Sequence, residues 1–159
     1  MGVLKYIGHL DLMRFFQKAV KRADLDIAYS QGYSPHQLMS FAAPLALGVT
    51  SEGEYFDAQF NSLISSDEFV GRFNEQMVDG IFVKDVIILP EGAKKAMSIV
   101  AASDYLITVL ENSLKETIFS KVPHLLEKET IEVFRKTKKS EKVEDIKKGI
   151  YKLSVMDDK

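Results

Sequence analysis

The chain has 159 residues and a mass of 17.9 kDa, which fits one ordinary domain or two small ones. Hydrophobic residues make up 46% of it and charged residues 28%, as in folded soluble proteins rather than disordered ones. The absence of cysteine excludes disulfides, thiolate nucleophiles, Cys-ligated zinc and iron–sulfur clusters held by this chain. Its apolar runs are far shorter than the roughly 20 residues of a transmembrane helix, and no signal-peptide core begins the chain. We therefore expect a cytoplasmic protein without membrane contact.

The net charge of −2 conceals an uneven distribution of charged residues. Residues 1–22 carry 5 basic and 1 acidic side chains. Residues 23–120 carry 5 basic and 14 acidic side chains, and residues 121–153 carry 10 basic and 6 acidic ones. The chain thus has two basic ends, each of net charge +4, around an acidic middle of net charge −9. Such runs are typical of solvated surfaces and also of surfaces that bind charged partners. Both interpretations stay open at this stage.

The first predicted elements are a strand and an amphipathic helix. Val3–Ile7 is short, apolar and β-branched, which predicts a strand. From His9 to Leu25, apolar residues recur at three- and four-residue steps, which predicts a helix. The opposite side of that helix is basic and carries Arg14, Lys18, Lys21 and Arg22.

A polar loop and two strands follow the helix. The segment Ala28–Leu38 is predicted to be a loop, and Met39–Pro44 a strand. After a glycine-containing turn, Glu54–Phe60 alternates between apolar and polar residues, which is typical of a half-buried strand. We expect these two strands to pair antiparallel.

A second helix and another strand complete the first unit. Ser65 and Glu68 have the spacing of a capping box, and Gly80 is placed to end the helix. The branched apolar run Ile81–Leu89 then predicts a strand. The order β-α-β-β-α-β predicts a ferredoxin-like sandwich, an α+β fold, over residues 1–92.

Residues 103–159 predict a second, incomplete ferredoxin-like unit, after a connector at Lys94–Ala102 with room for one helical turn. Ser113 and Glu116 repeat the capping-box spacing, and Pro123 is expected to kink or split the helix behind them. The predicted strands are Asp104–Leu110, Thr130–Arg135 and Tyr151–Met156, with a charged turn at Lys136–Lys142.

The loop from Tyr29 to His36 is the strongest candidate for a binding site. Gly32 permits a positive φ, and Pro35 favours an extended preceding residue. Aromatic and hydrogen-bonding side chains crowd this loop, and such groups can stack on nucleobases or contact phosphates. The alternative is a structural loop without a ligand. With the basic helix face, the candidate binding residues are Arg14, Lys18, Tyr29, Ser30, Gln31, Gly32, Tyr33, Ser34 and His36.

Two histidines are candidates for acid–base catalysis. His9 begins the first helix and His36 ends the loop, and two imidazoles at one phosphate could cleave RNA without a metal. Each histidine also has a structural alternative, as a backbone contact or a solvated side chain. A metal site is not predicted, since His124 stands alone on a predicted helix.

Several segments together resemble the radical-SAM-linked proteins, an uncharacterised bacterial family. They are Lys5–Arg14, Ala28–His36, Ser40–Gly48 and Ser51–Asp57, with weaker matches at Lys95–Ser98 and Val143–Lys147. In that family the loop motif often has a proline after the histidine, where this chain has Gln37. Members occur beside, or fused to, a cobalamin-binding radical-SAM protein, so the resemblance implies such a partner. Because this chain lacks cysteine, the iron–sulfur chemistry would belong to that partner.

The leading hypothesis is therefore an accessory domain without a cofactor of its own, which binds RNA or another substrate for a radical-SAM partner. A metal-independent RNA-processing enzyme using His9 and His36 is the second hypothesis. A pure protein–protein interaction module is the third, and it predicts an exposed apolar patch.

Overall fold

The computed structural model describes residues 3–137 and 140–156, which form an α+β protein with helices and small antiparallel sheets. The α-helices are α1 (His9–Arg22), α2 (Ser66–Asn74), α3 (Ala96–Ile99) and α4 (Asn112–Glu127). The strands are β1 (Met39–Phe41), β2 (Phe56–Ala58), β3 (Glu132–Lys136) and β4 (Glu141–Asp145), and short 3-10 helices cover Val3–Tyr6 and Lys147–Gly149. The chain divides into two compact units, Met1–Ser103 and Asp104–Lys159. The predicted domains at residues 1–92 and 103–159 stay predictions.

Helix α1 confirms the amphipathic pattern but ends earlier than Leu25. Its apolar stripe buries Phe16, Ala19 and Val20. After Arg22 the chain closes a Schellman motif, in which the Leu25 N–H donates to the Val20 carbonyl and the Asp24 N–H to the Lys21 carbonyl, both at 3.2 Å. Asp24 takes the left-handed position with φ of 53°, so the chain reverses and Leu25 returns to the core.

Strands β1 and β2 pair antiparallel, as predicted from the alternating pattern. Met39 lies opposite Ala58, and Phe41 opposite Phe56. Both strands are three residues long, shorter than the predicted segments, and an isolated antiparallel bridge joins Phe60, just after β2, to Ile27. Phe56, Ala58 and Phe60 all pack against the core, which confirms the predicted apolar face.

The core of the first unit is a cluster of phenylalanine rings around Phe16. Its ring meets the rings of Phe41, Phe56 and Phe73 at centroid distances of 5.1, 5.3 and 5.7 Å, all close to edge-on. Such pairs add to the stabilisation from burying apolar area. They hold α1, the β1–β2 pair and α2 together, and thereby fix the position of the basic face of α1.

Helix α2 begins with the predicted cap, since the Glu68 N–H donates to the Ser65 hydroxyl at 3.2 Å. The helix ends at Asn74, before Gly80, whose φ of 93° belongs to a later turn. Near its C-terminal end, Arg72 donates to the carbonyl oxygens of Ala23 and Asp24. This side chain therefore joins α2 to the end of α1.

Two predicted strands of the first unit are wrong. In place of the strand at Val3–Ile7, residues Val3–Tyr6 form a 3-10 helix, and the Ile7 N–H donates to the Leu4 carbonyl at 3.0 Å. The segment Ile81–Leu89 forms no strand, and at Val83 the Asn74 carboxamide bonds both the N–H and the carbonyl, at 2.7 and 2.9 Å. A side chain there occupies backbone groups that a neighbouring strand would need.

The second unit contains α4 and the β3–β4 hairpin. Helix α4 continues through Pro123, so the expected split is absent from residues 112–127. Strand β3 confirms the strand predicted near Thr130–Arg135, and it pairs antiparallel with β4. Strand β4 was not predicted, and its first residues lie in the segment Lys136–Lys142 that was expected to be a charged turn. Asp104–Leu110 and Tyr151–Met156 form no strands, so those two predictions are wrong.

Apart from isolated bridges, strand pairing among the described residues is thus limited to two two-stranded sheets. The ferredoxin-like arrangement of either unit is not confirmed. The predicted turn of helix in the connector is confirmed as α3. None of the helices in residues 3–137 and 140–156 has the length and apolar character to cross a bilayer.

Candidate functional site

A cleft of about 360 Å³ lies between the exposed face of α1 and the loop that follows it. Its helical lining residues recur at three- and four-residue steps, so they share one face of α1. The loop supplies the opposite wall. The complete lining consists of Arg14, Gln17, Lys18, Lys21, Tyr29, Pro35, His36 and Gln37.

The cleft is cationic. Its lining includes Arg14, Lys18 and Lys21 but no acidic residue. Arg14 pairs with Asp11 at 3.2 Å, but both side chains are about two-thirds exposed, so this ion pair is weak and screened by salt. In the described part of the chain, the Lys18 ammonium has neither a hydrogen bond nor an ion pair. A ligand that enters here meets positive charge that the protein itself does not neutralise.

The loop wall is held closed by Ser30 and His36. The Ser30 N–H donates to the His36 carbonyl at 2.8 Å, and the His36 N–H donates to the Ser30 hydroxyl oxygen at 3.0 Å. One residue further out on each side, Tyr29 and Gln37 form an antiparallel bridge. Gly32, with φ of 112°, supplies the turn at the tip. The segment between the paired ends is therefore a closed, pre-organised loop.

The His36 ring is oriented by the same serine. The Ser30 hydroxyl lies 2.8 Å from Nδ1 of His36. Because the hydroxyl oxygen already accepts the His36 N–H, its own hydrogen is free to donate to Nδ1. When the hydroxyl donates in this way, the neutral ring carries its proton on Nε2, which can donate to an anionic oxygen. His36 thus adds a hydrogen-bond donor to a cationic cleft.

Gln37 fastens the loop wall to the helix. Its side chain is buried, and Nε2 donates to the Gln17 carbonyl of α1 at 3.2 Å and to the Tyr29 hydroxyl at 3.4 Å. The Tyr29 ring in turn lies 6.0 Å from the Lys21 ammonium, within cation–π range. Oε1 of Gln37 is buried without a hydrogen-bond partner among the described residues. Tyr29 is therefore a fixed wall of the cleft, and Gln37 is its anchor.

The structure brings together four of the predicted binding residues, Arg14, Lys18, Tyr29 and His36. Ser30 contacts His36 and shapes the loop, whereas Gln31, Gly32, Tyr33 and Ser34 lie at the exposed tip, outside the lining. Sequence reasoning left Gln17, Lys21, Pro35 and Gln37 out of the candidate list. The first two follow Arg14 at helical spacing, a signal that could have found them. The binding role of all these residues stays a prediction.

His9 is not a lining residue of the cleft. Its ring packs edge-on against Phe41 at 5.7 Å. On a helix, five residues separate His9 from Arg14 by about 140° of rotation, so His9 shares the core face with Phe16. The structure thus does not assemble His9 and His36 around the cleft. His124 lies 3.4 Å from Glu127 on the exposed surface of α4, and no metal-ligating group of three or more occurs within residues 3–137 and 140–156.

Comparison with known proteins identifies the family of this chain but no activity. The family model described as "Uncharacterized protein conserved in bacteria (DUF2344)" matches residues 1–159. The chain belongs to this family. No curated protein and no solved structure matches it. These findings do not link the family to radical-SAM proteins, so the partner implied by the sequence resemblance stays a prediction.

Proposed function

We propose that this protein is an accessory domain that binds RNA through the cleft between α1 and the Tyr29–His36 loop. The observation that supports it is the placement of Arg14, Lys18 and Lys21 along one cleft wall that has no acidic residue. An RNA backbone carries one negative charge per nucleotide and thus matches such a wall. A cytoplasmic location belongs to the same proposal.

The chemistry of the lining side chains suits phosphate. Arg14 presents a planar guanidinium, which can bond two phosphate oxygens together, and Lys18 adds a compact charge without a competing partner among the described residues. Nε2 of His36 can donate a further hydrogen bond to the same anion. All three groups stand on fixed backbone, because α1 is packed into the core and the loop is closed by Ser30.

Salt-dependent RNA binding tests this proposal. Fluorescence polarisation of the full chain with a labelled single-stranded RNA is expected to show affinity that falls with salt. Three cationic contacts predict a slope of log K against log salt of about −2, since each contact to a single strand contributes about −0.7. Lys18→Gln is expected to weaken binding and to reduce that slope by about one third.

Lys94→Gln is the matched control, because Lys94 is an exposed lysine of the same unit outside the cleft. It should leave both affinity and slope unchanged. Absence of salt-dependent binding, or an equal effect of the two substitutions, would overturn the proposal.

A second proposed function is docking to a partner protein, with a radical-SAM protein as the partner implied by the sequence resemblance. The supporting observation is the exposed apolar run Ile87, Ile88 and Leu89 in the first unit, whose side chains are 74%, 56% and 54% exposed. Adjacent exposed residues of this kind often mark interaction surfaces. Co-purification with a candidate partner should be lost in an Ile87→Glu/Ile88→Glu variant and retained in Lys18→Gln. Retention in both variants would refute docking through this run.

The ferredoxin-like arrangement stays a structural proposal for the same domain. It is supported by the order α1-β1-β2-α2 and by the packing of Ile81, Val83 and Val86 against the core. A solution structure of the full chain in which further strands pair with β1 or β2 would support it, and a sheet limited to those two strands would contradict it.

A further inference from the structure

We infer that the cleft takes single-stranded RNA specifically, and that Tyr33 stacks on a base next to the phosphate held in the cleft. This inference rests on the proposed RNA-binding function and adds the strand state of the ligand and the residue that detects it. The two tyrosines of the loop differ in exposure. Tyr29 contacts other residues of the cleft, whereas the Tyr33 ring is fully exposed.

Tyr29 and Tyr33 have different surroundings. Tyr29 is 42% exposed, and its hydroxyl and ring face contact Gln37 and Lys21. Tyr33 is 109% exposed, which means that its ring is at least as accessible as in an extended chain. An aromatic ring of this size normally buries a large area. Tyr33 therefore presents a whole aromatic face that the fold itself does not use.

The loop holds this ring close to the cationic cleft. Pro35 lines the cleft, and Tyr33 is two residues before it. Two residues span at most about 7 Å of backbone, so the Tyr33 ring lies within reach of a nucleotide next to one bound in the cleft. The paired ends at Ser30 and His36 already order this segment. Binding then costs less conformational entropy than it would at a free chain end.

A base can stack on Tyr33 only if its own face is free. In a duplex the bases stack on each other and present only their edges in the grooves, whereas unpaired bases can be splayed onto aromatic side chains. Phosphate contacts with Arg14 and Lys18 do not distinguish the two states. Discrimination between single strand and duplex would thus come from Tyr33.

The test measures binding of the full chain to a labelled ten-nucleotide uridine-rich RNA, alone and annealed to its complement. Tyr33→Ala is expected to weaken single-strand binding by roughly 5- to 150-fold, the range observed for the loss of one base–aromatic stack. Tyr33→Phe keeps the ring and should stay within about twofold of the original. Duplex binding should be weaker than single-strand binding and unchanged by Tyr33→Ala.

Tyr55→Ala is the matched control, since Tyr55 is an exposed tyrosine of the same unit outside the cleft lining, and it should have no effect. Equal affinity for single strand and duplex, with loss on Lys18→Gln but not on Tyr33→Ala, would overturn this inference and leave RNA binding intact. Failure of every RNA to bind with salt dependence would overturn the proposed function itself.

Discussion

Arg72 is expected to contribute several times more to the free energy of unfolding than its ion pairs alone would contribute. Its guanidinium donates to the Ala23 carbonyl at 3.1 and 2.7 Å and to the Asp24 carbonyl at 2.6 Å. These carbonyls follow the last turn of α1, where the helix itself provides no donors. Arg72 also pairs with Glu68 at 3.5 Å and with the exposed Asp24 carboxylate at 3.8 Å.

The expected magnitude follows from counting the carbonyls. A hydrogen bond from a charged donor contributes about 1.5–3 kcal/mol, and two donors on one carbonyl count as one contact. Since the Arg72 side chain is 32% exposed, we take the low end of that range for the two carbonyls. Arg72→Met should therefore lower the free energy of unfolding by about 2–4 kcal/mol. Arg72→Lys can retain one contact and should lose about half as much.

Glu68→Gln is the matched control, because it removes an exposed ion pair but leaves the carbonyl contacts. It should cost about 1 kcal/mol or less, since it removes the exposed ion pair and one first-turn charge at the N-terminus of α2. Urea unfolding of the full chain, followed by far-ultraviolet circular dichroism, measures all three variants. If Arg72→Met and Glu68→Gln destabilise equally, the carbonyl contacts do not carry the stabilisation and the reasoning fails.

Three further outcomes are expected. Asp24→Gly should raise the free energy of unfolding by about 0.5 kcal/mol, because glycine adopts the φ of 53° without strain, and a loss in the same urea assay would contradict this. Phe73→Ala should cost about 3–5 kcal/mol, since the side chain is fully buried, and Phe73→Leu should cost clearly less because leucine keeps most of the buried apolar volume; equal losses would argue against buried volume as the cause. The pKa of Asp145 is lowered from the ordinary value of an aspartate, because the Ile131 N–H and then the Lys147 N–H donate to its carboxylate. A depressed folded pKa means that this stabilisation is present above the unfolded value and is lost as the pH falls through the folded one. A carboxyl-carbon NMR titration should therefore give a lower midpoint for Asp145 in the folded chain than in the urea-unfolded chain, and an equal or higher midpoint would refute the contacts.

Much of the candidate site could be predicted from local sequence. The helical spacing of Arg14 and Lys18 placed them on one face, and the composition of the Tyr29–His36 loop pointed to a binding segment. Gln37 could not be predicted, because its contacts reach the carbonyl of Gln17, twenty residues away. Nothing in the local sequence specifies such a pairing.

The sequence by itself determined those elements whose signals are short-range. The periodicity of α1, the Ser65 cap of α2 and the alternation in β2 each depend on neighbours within a few residues, and each is confirmed. These signals arise from backbone geometry and local hydrogen bonds, so they act before the chain is packed.

Only the tertiary structure decided how segments far apart in the chain were used. The apolar run Ile81–Leu89 has strand propensity, but Asn74 takes the backbone groups of Val83, and the run forms no strand. His9 and His36 have similar chemistry, yet packing against Phe41 places His9 on the core side of α1 and leaves His36 in the cleft. Strand pairing and the meeting of a helix face with a loop depend on which distant groups satisfy each other, and local propensity does not contain that information.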